Sequence, residues 1–221
     1  MNAATSSAEA PGLRRGDDEW REQTAQLGMW VFLATEVLFF GGALFAYVIG
    51  RIHWPDGYAA AALHTNVLIG TINTGVLLTS SLAMALAVTA AEMNQRRWIA
   101  PMLWTTVALG ALFMVFKGIE YYLDWKEQLI PGANFHLGAE ATGTPPTGAA
   151  LFFVLYWFLT VLHSVHLVIG LGVTSAFAWG AGHQRDWVKP PRVQTLGLYW
   201  HFVDIVWIFL YPLIYLVERH T

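Results

Sequence analysis

No cysteine occurs among the 221 residues, and charged residues are scarce. Without cysteine the chain cannot form disulfides, thiolate-bound iron–sulfur clusters or a thiol nucleophile. Charged residues make up 12% of the sequence, whereas soluble globular domains carry about 25%. The net charge of −3 gives no sign of nucleic-acid binding. Hydrophobic residues, in contrast, make up 56% and tryptophan occurs 11 times, which together predict an integral membrane protein.

Five apolar segments are long enough to cross a bilayer, for which a helix needs about 20 residues. They lie at about 27–49, 66–90, 98–121, 149–181 and 194–217. Each is predicted to be a helix, because backbone groups in hydrocarbon have no water to bond to. The sequence therefore predicts an all-α bundle of five transmembrane helices that forms one membrane domain over 27–221. A polar tail over 1–26 precedes it, and a loop rich in glycine, proline and threonine is predicted at about 122–148.

The distribution of lysine and arginine predicts the orientation of this bundle. Eight basic residues lie in the tail and connections on one side of the membrane, and three lie on the other. The first set is Arg14, Arg15, Arg21, Arg96, Arg97, Arg185, Lys189 and Arg192, and the second is Arg51, Lys126 and Arg219. Because basic residues concentrate on the cytoplasmic side, the N-terminus is predicted to be cytoplasmic and the C-terminus outside.

Two acidic residues lie deep within apolar segments. Glu36 is about ten residues into the first segment, and Asp204 lies at a similar depth in the fifth. An ionised carboxylate at the bilayer centre costs at least about 2.5 kcal/mol. Each acid is therefore expected to have a partner, a proton or a water-filled cleft, and burial favours a protonated, hydrogen-bonded Glu36.

Three histidines are predicted to share the middle layer of the membrane with these acids. His163 and His166 are one helical turn apart in the fourth segment, and His201 is one turn from Asp204. We predict that Glu36, His163, His166, His201 and Asp204 form a single polar cluster. No other segment offers a second histidine pair to complete a metal site, so the sequence predicts no metal bound to this chain.

Lys117 and Glu120 lie near the outer end of the third segment, three residues apart. This spacing puts both side chains on one face of a helix. We predict an ion pair at the outer interface, or alternatively a lysine whose ammonium group reaches outward to water.

Five groups of residues resemble motifs of subunit III of haem-copper terminal oxidases. They are Gly28-Met29-Trp30 followed by Glu36-Val37-Leu38-Phe39-Phe40; Asn73-Thr74 with Leu77-Leu78 and Ser80; Glu120-Tyr121-Tyr122; Thr160 with His163 and His166; and the run from Tyr199 to Trp207. The matches follow the family's order and extend from about residue 26 to the C-terminus. With five helices rather than seven, the chain is similar to the bacterial form of the family.

This resemblance implies a non-redox subunit of an aerobic cytochrome c oxidase in the bacterial inner membrane. Haem and copper would be bound by the catalytic subunit I, with subunit II and a small subunit IV as further partners. The chain itself would have no catalytic residue. It would stabilise subunit I, hold phospholipid and support proton uptake and oxygen access. The residues expected to contact lipid are Glu36, His163, His166, Trp200 and His201.

The sequence departs from the family pattern at three positions. Val161 and Ser164 replace two glycines of the motif around His163, which puts close packing or lipid contact at that turn in doubt. Gln26 stands where many members carry a basic residue thought to hold a lipid head group.

Several other functions remain open at this point. The same fold could serve a quinol oxidase or a nitric oxide reductase, because the electron donor binds elsewhere. A haem-binding membrane cytochrome could use His163, His166 and His201 as ligands. A small transporter could be gated by Glu36 and Asp204, although no inverted repeat or Gly/Pro-broken helix supports it.

Overall fold

A computed structural model describes residues 11–63, 65–126, 129 and 148–216, with the backbone alone for 11–19 and 21. The described part is helical and contains no strand. Its helices are α1 (Pro11–His53), α2 (Pro55–Ala62), α3 (Val67–Glu92), α4 (Arg96–Lys126), α5 (Ala149–Gly182) and α6 (Pro190–Tyr211), which continues as a π-helix over Pro212–Leu216. Five of the helices are long and apolar enough to cross a membrane, so the prediction of a five-helix membrane fold is confirmed.

The helix boundaries differ from the predicted ones at several ends. Helix α1 begins at Pro11, so residues 11–26 of the predicted tail are helical, and α4 continues through the first residues of the predicted outer loop. The rest of that loop, apart from Leu129 and Gly148, lies outside the described residues, as do residues 1–10 and Arg219.

The short helix α2 was not predicted. Trp54 has a non-helical backbone (φ −132°, ψ 61°) and separates α2 from α1. Pro55 then starts the new helix, because its fixed φ suits the first helical position. Tyr58 is fully buried and packs edge-on against the ring of Phe152 in α5. Helix α2 therefore holds the C-terminal end of α1 against the bundle by packing on α5.

Helices α3, α4, α5 and α6 form a ring in which each helix contacts the next and α6 closes onto α3. Helix α1 lies outside this ring, against both α5 and α6. Only 17% of the apolar window of α1 is buried, compared with 56% for the span that includes α6. The first helix is therefore held by one narrow stripe, and most of its surface is open to lipid or to a partner.

The π-helix lies where the C-terminal ends of α1 and α6 meet the N-terminal end of α3. Pro212 has no N–H to donate to the preceding turn, and irregular turns of this kind often follow such an interruption. The Tyr47 hydroxyl of α1 donates to the Leu213 carbonyl at 2.8 Å. The Tyr211 hydroxyl, at the end of α6, lies 2.6 Å from Thr71 Oγ1 of α3. These bonds fix the position of the π-helix relative to α1 and α3.

Candidate functional site

A fully buried ammonium group lies in the ring of helices, toward the C-terminal ends of α4 and α6. Lys117 Nζ is 2.9 Å from Glu120 Oε2 and 2.7 Å from the Tyr215 hydroxyl, and the lysine side chain is inaccessible. Four aromatic rings surround it with centroids 5.1 to 5.4 Å from Nζ: Tyr121, Tyr156, Trp207 and Tyr215. Ring faces attract a desolvated cation by about 2 kcal/mol or more. These contacts therefore offset part of the cost of burying a charged lysine.

Tyrosine hydroxyls complete the surroundings of the Glu120 carboxylate. The Tyr215 hydroxyl, placed by the π-helix, donates to Oε1. The Tyr156 hydroxyl lies 3.2 Å from the same oxygen and 2.9 Å from Asp124 Oδ2. We refer to Lys117, Glu120, Asp124, Tyr156 and Tyr215 as the outer cluster, after the side of the membrane that the sequence predicts for this end of the bundle. None of its side-chain nitrogen or oxygen atoms is buried without a partner.

The outer cluster differs from the interface ion pair that the sequence predicts. Lys117 and Glu120 do contact each other, but both lie inside the ring, with exposed fractions of 0% and 3%. The alternative in which Lys117 reaches outward to water is therefore wrong. Lys117 can stay inside the ring because Tyr156 of α5 and Tyr215 of the π-helix supply the polar contacts that water would otherwise provide.

A second acid, Glu36, lies near the middle of α1 and faces α5. Its Oε2 is 3.2 Å from His166 Nε2, and the two side chains are 19% and 13% exposed. The contact is close but is not aligned as a hydrogen bond. His166 Nδ1 is 2.9 Å from the Leu162 carbonyl, which can only accept, so Nδ1 carries a proton. A neutral imidazole then presents an acceptor at Nε2, and the pair can exchange one proton between acid and ring.

The structure separates His163 from this pair. His163 is 1% exposed and lies inside the ring of helices, with centroids 5.8 Å from Phe113 and 5.2 Å from Trp207. Neither of its ring nitrogens has a hydrogen-bond partner within the described residues. Residues three apart on a helix differ in direction by about 60°. At the edge of the ring this offset turns His166 toward α1 and His163 toward the interior.

His201 and Asp204 lie beside α3 rather than beside Glu36. His201 Nδ1 is 2.8 Å from Ser81 Oγ. The same serine is the polar neighbour of the Asp204 carboxyl, which is 3% exposed and makes no well-aligned hydrogen bond among the described residues. Within the described ranges, direct contact therefore joins only two of the five residues of the predicted cluster, Glu36 and His166.

Two of the residues predicted to contact lipid are buried inside the ring, with almost no solvent-accessible surface. Trp200 is inaccessible and donates from Nε1 to Ser80 Oγ at 3.1 Å within the ring. His163 is enclosed in the same ring. Of the predicted lipid contacts, Glu36, His166 and His201 are partly accessible.

A cleft of about 350 Å³ lies between α1, α5 and α6. Its walls are almost entirely apolar and include Met29, Phe32, Val173, Phe177, Leu196 and Tyr199, with Arg192 near the start of α6. Tyr199 also donates to the His166 carbonyl at 2.9 Å, so the cleft adjoins the Glu36–His166 pair. The sequence does not predict this cleft. In the sequence, Arg192 indicates only the orientation of the bundle.

The three membrane histidines do not converge on a common ligand. His166 faces Glu36, His163 packs between aromatic rings and His201 bonds to Ser81. In the part of the chain that the structure describes, no three His, Asp or Glu side chains are close enough to hold a metal ion. What the arrangement can do is exchange protons and bind apolar molecules.

Comparison with known proteins identifies the family. Residues 18–218 match the family model described as cytochrome c oxidase subunit III. The haem-copper oxidase subunit I+III of Aeropyrum pernix is 31% identical over 86% of this chain, which spans 22% of that longer protein. The cytochrome c oxidase subunit 3 of Alkalihalophilus pseudofirmus is 30% identical, over 86% of this chain and 85% of that one.

A quinol-linked relative is similar to about the same degree. The probable quinol oxidase subunit 3 of Staphylococcus aureus is 28% identical, over 87% of this chain and 88% of that one.

The resemblance noted from the sequence motifs is therefore confirmed by a match over nearly the whole chain. The chain belongs to the cytochrome c oxidase subunit III family, the non-catalytic subunits of a membrane-bound oxidoreductase complex.

Proposed function

We propose that the chain serves an aerobic cytochrome c oxidase, in which oxygen is reduced to water and protons are pumped. It would stabilise the catalytic subunit I, which holds haem and copper, and would assemble with subunit II and a small subunit IV. The observation that carries this proposal is the family match over residues 18–218. A quinol oxidase is the second candidate, because the Staphylococcus aureus relative bears that name.

The proposed location is the bacterial inner membrane, with the N-terminus in the cytoplasm. Five helices are long and apolar enough to span it. The eight-to-three distribution of basic residues supports this orientation. In that orientation Arg192 lies at the cytoplasmic end of the cleft, and the outer cluster lies toward the outside.

The cleft between α1, α5 and α6 is the proposed phospholipid site. Its apolar walls suit an acyl chain, which can pack against them as it packs against neighbouring lipid tails. Arg192 can pair with the phosphate of the head group at the membrane surface. This residue would compensate for Gln26, which replaces the basic residue thought to hold a head group in many family members.

The Glu36–His166 pair is the part of the chain proposed to support proton uptake. The pair is partly accessible and close to Tyr199, which lines the lipid cleft. A carboxyl and an imidazole 3.2 Å apart can pass a proton between them with little movement. The pair can therefore respond to protons without holding a redox centre.

Affinity purification of the tagged chain from native membranes in mild detergent tests the proposed assembly. We expect a catalytic subunit with haem and copper to co-purify, and oxygen consumption to be supported by reduced cytochrome c. Activity with a quinol but not with cytochrome c would favour the second candidate. Recovery of the chain without any haem-containing partner would contradict both.

Mass spectrometry of the intact complex tests the lipid site. We expect Arg192→Gln to weaken phospholipid binding roughly tenfold, the effect of losing about 1.4 kcal/mol of binding energy, so that less phospholipid stays with the complex after detergent washing. Arg185→Gln is the matched control, because Arg185 is on the same side but does not line the cleft. Equal lipid content in the two variants would contradict the site.

A further inference from the structure

His201 is a polar side chain with unfilled hydrogen-bonding capacity near the middle of the membrane. It lies twelve residues into the 27-residue span Pro190–Leu216 and is partly exposed. Its Nδ1 is bonded to Ser81 Oγ at 2.8 Å. Its Nε2 is accessible and has no hydrogen-bond partner among the described residues. The imidazole therefore presents one polar atom outward at mid-depth.

The other two histidines near the middle of the spans do not share this property. Both ring nitrogens of His166 have neighbours, namely the Leu162 carbonyl and Glu36. His163 is enclosed within the ring of helices. Hydroxyl groups on the outer faces, such as that of Thr79, bond back to a carbonyl of their own helix. Among these three mid-span histidines, only His201 has a ring nitrogen that is both open and unpaired within the described residues.

Apolar side chains surround this nitrogen on two adjacent helices. Ile205 and Ile208 follow His201 on the same face of α6 and are 51% and 43% exposed. The bond between His201 and Ser81 brings this face next to α3, where Leu78 and Leu82 are exposed. We call this surface the α3/α6 face.

We propose that a transmembrane helix of the catalytic subunit docks on the α3/α6 face and supplies the hydrogen bond that His201 Nε2 lacks. This inference rests on the proposed function. Lipid does not satisfy the nitrogen, because the hydrocarbon core is about 30 Å thick and head groups lie roughly 15 Å from its centre. A polar side chain or an open backbone carbonyl on a neighbouring helix reaches it at that depth. The Aeropyrum pernix relative, whose name combines subunits I and III, supports the catalytic subunit as the occupant.

The absence of cysteine makes site-specific cross-linking a direct test. Ile205→Cys, labelled with a photoactivatable thiol reagent in the intact complex, places the probe one turn from His201. Leu112→Cys is the matched control, since Leu112 is 40% exposed near the middle of α4, across the ring from α6. We expect an adduct with the catalytic subunit from position 205 and none from position 112. An adduct from position 112 alone, or only lipid adducts from position 205, would overturn the proposal.

Substitution of His201 tests the hydrogen bond separately from the contact. His201→Leu should make the chain dissociate from the detergent-solubilised complex about three- to fifteenfold faster, the change expected for one intramembrane hydrogen bond. His201→Gln keeps a polar group near the position of Nε2, which the shorter Asn cannot reach, and should restore most of the wild-type rate. Dissociation of His201→Leu at the wild-type rate would overturn the role of Nε2.

The two proposals fail in distinguishable ways. If the tagged chain co-purifies with the catalytic subunit but cross-links through another face, only the docking inference fails. If no catalytic subunit co-purifies and neither cysteine position gives a protein adduct, the proposed function itself fails.

Discussion

The outer cluster and the Glu36–His166 pair place the same kinds of side chain in opposite environments. In the outer cluster, Lys117 and Glu120 are fully buried and every polar side-chain atom has a partner. Glu36 and His166, in contrast, are partly exposed at the edge of the ring and meet through one poorly aligned contact. Asp204 is buried beside Ser81 and makes no well-aligned hydrogen bond within the described residues.

The difference shows which polar residues maintain the fold and which remain available to other molecules. A buried ion pair with all its hydrogen bonds made holds together the elements that contribute to it, here α4, α5 and the π-helix. A carboxyl or imidazole with an open position can accept a proton, a lipid or a partner helix. Membrane depth alone does not separate the two classes, because both lie within the apolar spans.

The largest effect is expected when one partner of the buried ion pair is removed. Lys117→Met leaves the Glu120 carboxylate buried without its cation, which should destabilise the chain by about 3–5 kcal/mol. Thermal unfolding of the purified complex, together with the amount of the chain in the membrane, measures this loss. Lys126→Met is the matched control on the same helix, because Lys126 is exposed and contacts only the face of Tyr122 within the described residues.

A second substitution shows whether the Lys117 effect is due to charge. If the stranded carboxylate causes the instability, Glu120→Gln combined with Lys117→Met should recover a large part of the lost stability. Equal stability of the single and double variants would indicate lost packing instead, and the contrast between the two regions would then no longer rest on electrostatics.

A smaller effect on stability, with a clear chemical signature, is expected at Glu36. Glu36→Gln keeps the size of the side chain and should change stability by about 1 kcal/mol or less. A membrane-soluble carbodiimide, which reacts with protonated carboxyls in apolar surroundings, should label the wild-type chain at Glu36. Labelling should be lost in Glu36→Gln, and Glu120 should remain unlabelled because it is enclosed and paired with Lys117. Labelling of Glu120 in the folded complex would remove the distinction between the two acids.

The sequence predicts the membrane spans well, because they depend on local composition. Five apolar runs correspond to the five long helices, and Glu36 and His166 meet as their equal depths suggest. The proposed role, in contrast, came from the resemblance of ordered motifs to a family. Composition and periodicity alone do not indicate the proposed role.

Features that depend on distant residues were not predictable in this way. The outer cluster requires Tyr156 and Tyr215, which are 39 and 98 positions away from Lys117. The different surroundings of His163 and His166 depend on where α1 packs against the ring. The cleft between α1, α5 and α6 likewise depends on the gap between α1 and its neighbours, and a hydrophobic run in the sequence does not show how far apart two helices pack.

The smallest effect is expected at Asp204, and it tests the comparison most directly. Asn is close to Asp in size but cannot ionise, so Asp204→Asn reproduces an uncharged acid. Because the carboxyl has only Ser81 as a polar neighbour and makes no well-aligned hydrogen bond within the described residues, the thermal stability of the complex should change by only about 0.5 kcal/mol. A loss as large as that of Lys117→Met would mean that Asp204 is ionised and paired with a cation of another subunit. Asp204 would then belong with the outer cluster as a structural ion, and the α3/α6 face would carry a charge-paired contact beside His201.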